Sequence, residues 1–334
     1  MIGKLLESLY TKVFINIIVQ NLQTIVYIEV CSRKKVEQSL HRTFETTAIN
    51  AKMYEFINAY YKASPFCYIS ILDKSSSQGA IPTCSVSEMA KYCDISSSEH
   101  KCYSKDWAYY TSEYDLEAMK HDYRSIGVDF IFSPFVLLAN FFKDKIENTL
   151  SIFVLLEDSA ISFTIFEDTK LLYAEYLNMQ RYKNNEDILI DISLDDDDDV
   201  MEGIDLEEIT IEEGISEFDD FTNIEDLDDD GGGIDEFSES AELEEVNRAE
   251  ESGNISDSGF NEDYQRFTLI QSALNTFYKD PKYKSQFIET IYIADGVGVS
   301  SDLKSYLEEE IFLSVFIRKI DLGSALCDMA KAEI

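Results

Sequence analysis

The residues best suited to bind a ligand form a turn near the end of the chain, Asp295-Gly296-Val297-Gly298. An apolar strand is predicted just before the turn, and Ser300 or Ser301 can cap an amphipathic helix just after it. Glycine lets the backbone approach a ligand or a neighbouring element closely, and a helix N-terminus presents unpaired N–H groups. The pattern therefore marks Asp295, Gly296 and Gly298 as candidate binding residues.

The elements that position this turn alternate between strands and helices, which predicts an α/β protein with mixed sheets. A short helix is expected at the start, followed by a hairpin of two strands, Val13–Ile18 and Leu22–Val30, both rich in β-branched and aromatic residues. Apolar residues recur at helical spacing over 35–62, so that region is predicted to be mostly helical. The later elements are expected as strand Phe66–Leu72, a loop over 79–83, a polar tyrosine-rich segment over 84–110, helix Tyr114–Gly127, strand Val128–Ser133, helix Pro134–Phe142, strands Leu150–Leu156, Ser159–Phe166 and Leu171–Leu177, helix Asp263–Lys279, strand Ile288–Ala294, helix Ser301–Glu310, strand Leu313–Ile317 and a helix from Gly323.

The order of these elements resembles the two-lobed actin-like fold of sugar kinases, Hsp70 and actin, and in particular the pilus-assembly protein PilM and the cytoplasmic part of the secretion protein GspL. The turn at Asp295–Gly298 resembles the closing adenosine-side motif of that fold, and Tyr123–Leu138 resembles the crossover in PilM-like proteins. The resemblance implies an α/β fold of two duplicated RNase H-like lobes. Residues 1–183 would form the first lobe and the start of the second, 184–260 an insertion, and 261–334 the remainder of the second lobe.

Actin-like ATPases hold the phosphates of their nucleotide between two β-hairpin turns, which the resemblance places at Asn16–Asn21 and Leu156–Ile161. Each turn needs a glycine, so that backbone N–H groups can face phosphate oxygens, and an Asp to position Mg²⁺ or the attacking water. The first turn has neither, and the second has Glu157 and Asp158 without a glycine. The resemblance therefore implies a degenerate nucleotide site at Asp295, Gly296 and Gly298, where the Asp295 carboxylate contacts a ribose hydroxyl or closes the turn. No cofactor is expected, with ATP and Mg²⁺ as the alternative.

Half of the acidic residues lie in one segment. The chain has 334 residues and a formal net charge of −37, but 33 of its 65 acidic residues lie within 186–263, where Arg248 is the only basic residue. Such a charge predicts a disordered acidic insertion over 184–260. Apolar residues recur among the acids, so the insertion is either solubilising or binds a basic partner surface. Its charge argues against nucleic acid and anionic lipid as ligands.

The sequence contains no motif for nucleophilic or metal-dependent catalysis. Its three histidines stand in no HExxH or HxH pattern, and no GxSxG, P-loop or GxGxxG occurs, so we expect no enzyme. Six cysteines without a CxxC pair, in a chain without an evident signal peptide, predict free thiols. Cys84, Cys93, His100 and Cys102 could gather around zinc, but their spacing does not match a common zinc site.

Together these features predict a non-enzymatic cytoplasmic scaffold. The resemblance implies a place in a type IV pilus, type II secretion or competence-type (DNA-uptake) machine, where the chain would bind the tail of a membrane partner or the motor ATPase. The two most apolar stretches, Val13–Val30 and Ile126–Phe142, contain polar residues, so we expect no direct membrane span and a peripheral position at the inner membrane through partners. The alternatives are an actin-like ATP-binding switch similar to the division protein FtsA, and a structural α/β protein of an unknown system.

Overall fold

Two five-stranded sheets form the framework of the chain. The computed structural model describes residues 10–32, 35–146, 150–179, 257–283 and 286–334. The strands are β1 (Lys12–Val19), β2 (Thr24–Ser32), β3 (Lys35–Phe44), β4 (Phe66–Leu72), β5 (Gln78–Ile81), β6 (Ser98–Tyr103), β7 (Trp107–Ser112), β8 (Phe130–Phe132), β9 (Ser151–Leu156), β10 (Ala160–Glu167), β11 (Lys170–Asn178), β12 (Thr290–Asp295) and β13 (Ser314–Lys319). The helices are α1 (Ala51–Tyr61), α2 (Val86–Met89), α3 (Glu113–Asp122), α4 (Pro134–Phe141), α5 (Lys143–Ile146), α6 (Asp257–Lys279), α7 (Ser301–Glu309) and α8 (Leu322–Glu333).

The two large sheets repeat one strand order. The first runs β3-β2-β1-β4-β8 and the second β11-β10-β9-β12-β13. In the first sheet β1 pairs antiparallel with β2 and parallel with β4, and in the second β9 pairs in the same way with β10 and β12. This duplication confirms the predicted two-lobed actin-like fold. We call the half built on the first sheet lobe I and the half built on the second lobe II.

Helices cover both faces of the central strands, which explains why those strands are apolar without alternation. In β1 every residue from Val13 to Ile18 is buried. On one face α1 packs with Met53 and Ile57, and on the other α8 packs with Leu326 and Cys327. In lobe II the whole of β9 is buried in the same way.

The prediction that 35–62 is mostly helical is wrong for the residues that form the strand β3. The chain pairs with β2 from Lys35 to Phe44, and helix begins only at Ala51. Within β3 only Phe44 is buried, so the sequence shows no apolar alternation that would predict a strand. The hydrogen bonds to β2 decide its conformation, since β-propensity depends strongly on context.

A third sheet, with the order β5-β7-β6, lies between β4 and α3 in the chain. It contains parts of the predicted loop at 79–83 and of the tyrosine-rich segment 84–110, and it buries Trp107. A disulfide joins Cys84 to Cys102, whose Cα atoms lie 5.5 Å apart. The prediction of free thiols is therefore wrong for this pair, because β6 brings together two residues separated by 18 positions. Because Cys84 and Cys102 are bonded to each other, two of the four residues considered as zinc ligands have no free thiol.

The remaining predicted strands and helices lie within a few residues of their expected positions. The short helix expected before Val13 and most of the acidic segment 184–260 lie outside the described residues, so the predicted domain boundaries stay predictions. Within the part of the chain that the structure describes, no helix is long and apolar enough to cross a membrane.

Candidate functional site

The two hairpin turns that face each other between the lobes are hydrogen-bonded to each other. The turn between β1 and β2 is closed by Gln20 N–H donating to the Gln23 carbonyl at 2.8 Å, and the turn between β9 and β10 by Glu157 N–H donating to the Ala160 carbonyl at 3.0 Å. Across the cleft, Asn21 N–H donates to Oδ2 of Asp158 at 2.7 Å. A phosphate chain held by both turns would have to lie between these two groups, which are in direct contact.

An ion pair lies beside the turns and also joins the lobes. Lys74, which follows β4, pairs its ammonium with Oε1 of Glu157, which follows β9. The Glu157 side chain is 0% exposed and that of Lys74 is 21% exposed. Oε2 of Glu157 has no hydrogen-bond partner among the described residues. A buried carboxylate needs a countercharge, and Lys74 supplies it for Glu157.

Asp73 adds a second buried carboxylate beside this pair. Its Oδ1 accepts from Ser75 N–H at 2.8 Å. Burial raises the pKa of Asp73, while the hydrogen bonds with Ser75 oppose the shift. Burial, with the nearby charges of Glu157 and Asp73, also raises the pKa of Tyr176. The carboxylates make this part of the cleft unfavourable for phosphate.

The loop after β12 uses its own carboxylate to satisfy its amides. Asp295, which is buried, accepts on Oδ1 from the N–H groups of Val297 at 3.0 Å and Gly298 at 2.7 Å, and its two oxygens each lie 3.3 Å from the Val299 amide. Gly296 N–H donates to the Leu156 carbonyl at 3.1 Å. A Cβ at Gly296 would lie 2.8 Å from that carbonyl oxygen, so only glycine allows this approach.

A second carboxylate occupies the start of α7. Oδ2 of Asp263, in α6, accepts from Ser300 N–H at 2.9 Å and from Ser300 Oγ at 2.6 Å. Oδ1 of Asp263 pairs with Arg266 at 2.7 Å. Because the helix N-terminus is a natural anion site, Asp263 takes the position that an anionic ligand would need. The amides from Gly296 to Ser300 thus all donate to acceptors of the protein.

The last helix, α8, fixes the floor of lobe I. Asn16, buried in β1, donates through Nδ2 to the Gly323 carbonyl at 2.9 Å and to Sγ of Cys327 at 2.7 Å. Ser70 of β4 donates its hydroxyl to Asn16 Oδ1. Lys331 pairs with the buried Glu29 at 2.6 Å. Burial opposes the charge of Lys331, but hydrogen bonds to Glu29 and Asp328 raise its pKa. These contacts hold α8 against the sheet of lobe I.

The structure places Asp295, Gly296 and Gly298 next to the second turn, where the resemblance expects them, and shows Asp295 closing its own turn. The prediction that they form a degenerate nucleotide site stays a prediction. Sequence reasoning missed Lys74, although Asp73-Lys74 directly follows a buried strand. It also missed Asp263, because nothing in the sequence links it to Ser300, 37 positions away.

A groove of about 590 Å³ lies on lobe I, and Asp73 is among the residues that line it. Two strands that end their sheets line it, β8 of the first sheet and β6 of the third. Its walls include Tyr103, Tyr109, Phe130 and Phe132, and Tyr103 Oη donates to Asn140 Oδ1 at 2.8 Å. Residues of α8, among them Met329 and Glu333, also line the groove. An extended peptide could add to either strand edge while its side chains contact the aromatic walls.

The chain is similar to several solved structures, whereas no curated protein matches the sequence. A protein of unknown function with an actin-like ATPase fold from Bacteroides thetaiotaomicron is 10% identical. The match covers 98% of this chain and 99% of that protein, with a TM-score of 0.48. The PilM-PilN type IV pilus biogenesis complex is 10% identical over 93% of this chain and 89% of that chain, with a TM-score of 0.46. The ethanolamine utilization protein EutJ from Carboxydothermus hydrogenoformans is 6% identical. The match covers 92% of this chain and 84% of EutJ, with a TM-score of 0.35. These likenesses concern the fold alone.

Two family models match the sequence directly. A domain of unknown function, DUF8569, matches residues 10–139, which hold the sheet of lobe I and the inserted third sheet. Another domain of unknown function, DUF8341, matches residues 152–334, which hold lobe II and α8. Since the second model covers more than half of the chain, the chain belongs to the DUF8341 family.

Proposed function

We propose that this chain is a non-enzymatic scaffold that holds an extended segment of a partner protein. The observation that carries the proposal is the hydrogen bond between the two cleft turns, from Asn21 N–H to Asp158. It occupies the space in which an actin-like ATPase holds its phosphates. The Lys74–Glu157 pair and the self-satisfied loop after β12 support the same conclusion.

The partner segment is assigned to the groove on lobe I. A strand added to β8 or β6 would gain main-chain hydrogen bonds, and the aromatic walls would select its side chains. We place this scaffold in a type IV pilus, type II secretion or DNA-uptake machine, on the cytoplasmic side of the membrane. The partner would then be the tail of an inner-membrane protein or the motor ATPase. Support comes from the actin-like fold, which the chain shares with the PilM-PilN complex, and from the peptide-sized groove.

The first test is calorimetric titration of Mg-ATP into the full chain. The closed cleft predicts no saturable heat in a sample shown to be folded by circular dichroism. Binding in the micromolar range would instead mean that the turns separate to admit a nucleotide. The chain would then be an actin-like switch, and the scaffold proposal would be wrong.

The second test locates the partner. A photo-crosslinking amino acid replaces Tyr103 in the groove, and in a matched control it replaces Tyr61, which is exposed at the end of α1. In the native host, the groove position should cross-link to a protein of the membrane machine and the control position should not. Equal cross-linking from both positions, or none from the groove, would remove the groove from the proposal.

A further inference from the structure

The strand β13 ends the sheet of lobe II with an exposed apolar edge. Among the described residues no strand pairs with its outer side. Phe316 is 54% exposed and Ile317 is 37% exposed. Phe312, just before the strand, is 78% exposed and has a left-handed backbone with φ of 58°, which is strained for a bulky residue. Natural proteins usually protect such an edge, because it offers free N–H and C=O groups to another strand.

A row of stacked rings crosses lobe II and ends at this edge. Phe153 of β9 stacks on Tyr292 of β12 with ring centroids 5.2 Å apart, and Tyr292 stacks on Phe316 of β13 at 5.3 Å. Cross-strand aromatic pairs of this kind stabilise a sheet. The outer face of the Phe316 ring has no such neighbour among the described residues, so one more strand with an apolar residue at this level would continue the row.

The backbone of β13 shows which groups face outward. Ser314 N–H donates to the Glu289 carbonyl at 2.7 Å and Ile320 N–H donates to the Asp295 carbonyl at 3.0 Å. In a parallel pair alternate residues face the neighbouring strand, so the even-numbered residues bond to β12. The N–H and C=O groups of Val315, Ile317 and Lys319 therefore point away from the sheet.

We propose that a second copy of this chain occupies the edge, with the two β13 strands antiparallel about a two-fold axis at Phe316. Phe316 then stacks on Phe316 of the other copy, and Val315 faces Ile317. Both members of the Val315–Ile317 pair point their main-chain groups outward, so they exchange hydrogen bonds. The pairing is isologous, as expected for a two-fold dimer, and it joins the two lobe II sheets into one continuous sheet.

Charge favours the antiparallel direction. β13 ends with the exposed residue Lys319, next to Arg318, which already pairs with Asp144 at 3.3 Å, and the exposed residues Glu308, Glu309 and Glu310 precede it. In an antiparallel pair, the basic end of β13 in one copy lies near the glutamates that precede β13 in the other copy. In a parallel pair, like charges would lie together. The formal net charge of −37 opposes association of two copies over longer range. Salt should therefore strengthen the dimer by screening that repulsion.

The test is analytical ultracentrifugation of the full chain over a range of protein and salt concentrations. The average mass should rise from 38.3 kDa toward twice that value as either concentration increases. Ile317→Pro removes an outward N–H without disturbing the bonds to β12, and proline is tolerated on edge strands. It should weaken dimerisation by about tenfold or more. Tyr114→Ser, an exposed aromatic on α3 in lobe I, should leave the dimer unchanged.

A cysteine pair tests the register. Phe316→Cys places the two thiols opposite each other at about 4.5 Å between Cα atoms, within the range of a disulfide. Lys319→Cys places them opposite Leu313 instead. Under mild oxidation the first variant should form a covalent dimer, above the background of the unsubstituted chain, and the second should not. A monomer at all concentrations, or equal cross-linking of the two variants, would overturn the proposal.

Discussion

Replacing Lys74 by methionine should destabilise the protein strongly, because it leaves the Glu157 carboxylate buried without a countercharge. Glu157 is 0% exposed, and its Oε2 has no hydrogen-bond partner among the described residues. No described group other than Lys74 therefore stabilises the charge of this carboxylate. Methionine keeps most of the apolar stem of lysine, so lost packing contributes little. The experiment therefore measures the interaction that joins β4 of lobe I to β9 of lobe II.

The expected size follows from the burial of the two partners. Removing one member of a buried ion pair costs about 3–5 kcal/mol. The Lys74 side chain is 21% exposed, so we expect the lower end, about 3 kcal/mol. For a folded unit of about 150–250 residues that corresponds to a fall in Tm of about 6–12 °C. Glu157→Gln should cost less than Lys74→Met, because the lysine can turn toward water while the carboxylate cannot.

The assay is thermal and urea unfolding of the two single variants and of the double variant Lys74→Met with Glu157→Gln. The double variant should recover much of the loss, since no buried charge remains. Lys91→Met is the matched control, because Lys91 pairs with Glu88 on the surface, where both are more than half exposed; its effect should stay within about 0.5 kcal/mol. If Lys74→Met behaves like this control, the pair does not hold the cleft closed.

Three further predictions concern single positions. Gly323→Ala should lower stability by about 2 kcal/mol, because a Cβ there would overlap the Tyr27 ring; an unchanged Tm would contradict the close packing of α8. Asp295→Ala should cost about 2 kcal/mol by leaving the loop amides unpaired, and Asp295→Asn should cost less, since it keeps an acceptor oxygen. Asp73→Asn should change the pH dependence of stability. Burial raises the pKa of Asp73 above 3.8 in the folded state, so the folded state holds this proton more tightly than the unfolded state does. The wild type should lose stability relative to the variant as pH rises from about 3.8 through the folded pKa, and parallel Tm curves from pH 3 to 7 would refute this.

The sequence alone predicted most elements of the two large sheets in their order, and this order was enough to indicate the fold. Strands that are buried on both faces, such as Val13–Ile18 within β1 and Ser151–Leu156, are almost entirely apolar, and this pattern can be recognised in the sequence. The same holds for the turn at Asp295–Gly298, where Gly296 allows a close backbone contact and Gly298 has a left-handed backbone with φ of 82°. The absence of glycine from the two cleft turns, at Asn16–Asn21 and Leu156–Ile161, can also be recognised in the sequence.

Only the tertiary structure decided the features that depend on residues far apart in the chain. β3 is a strand because β2 offers it hydrogen bonds, although its own residues are mostly exposed and polar. Cys84 meets Cys102 because β6 folds back beside it. Asn21 meets Asp158, 137 positions away, because the lobes close upon each other. Local propensity and periodicity act over a few residues, whereas these contacts depend on how complete lobes pack, so no local pattern could have predicted them.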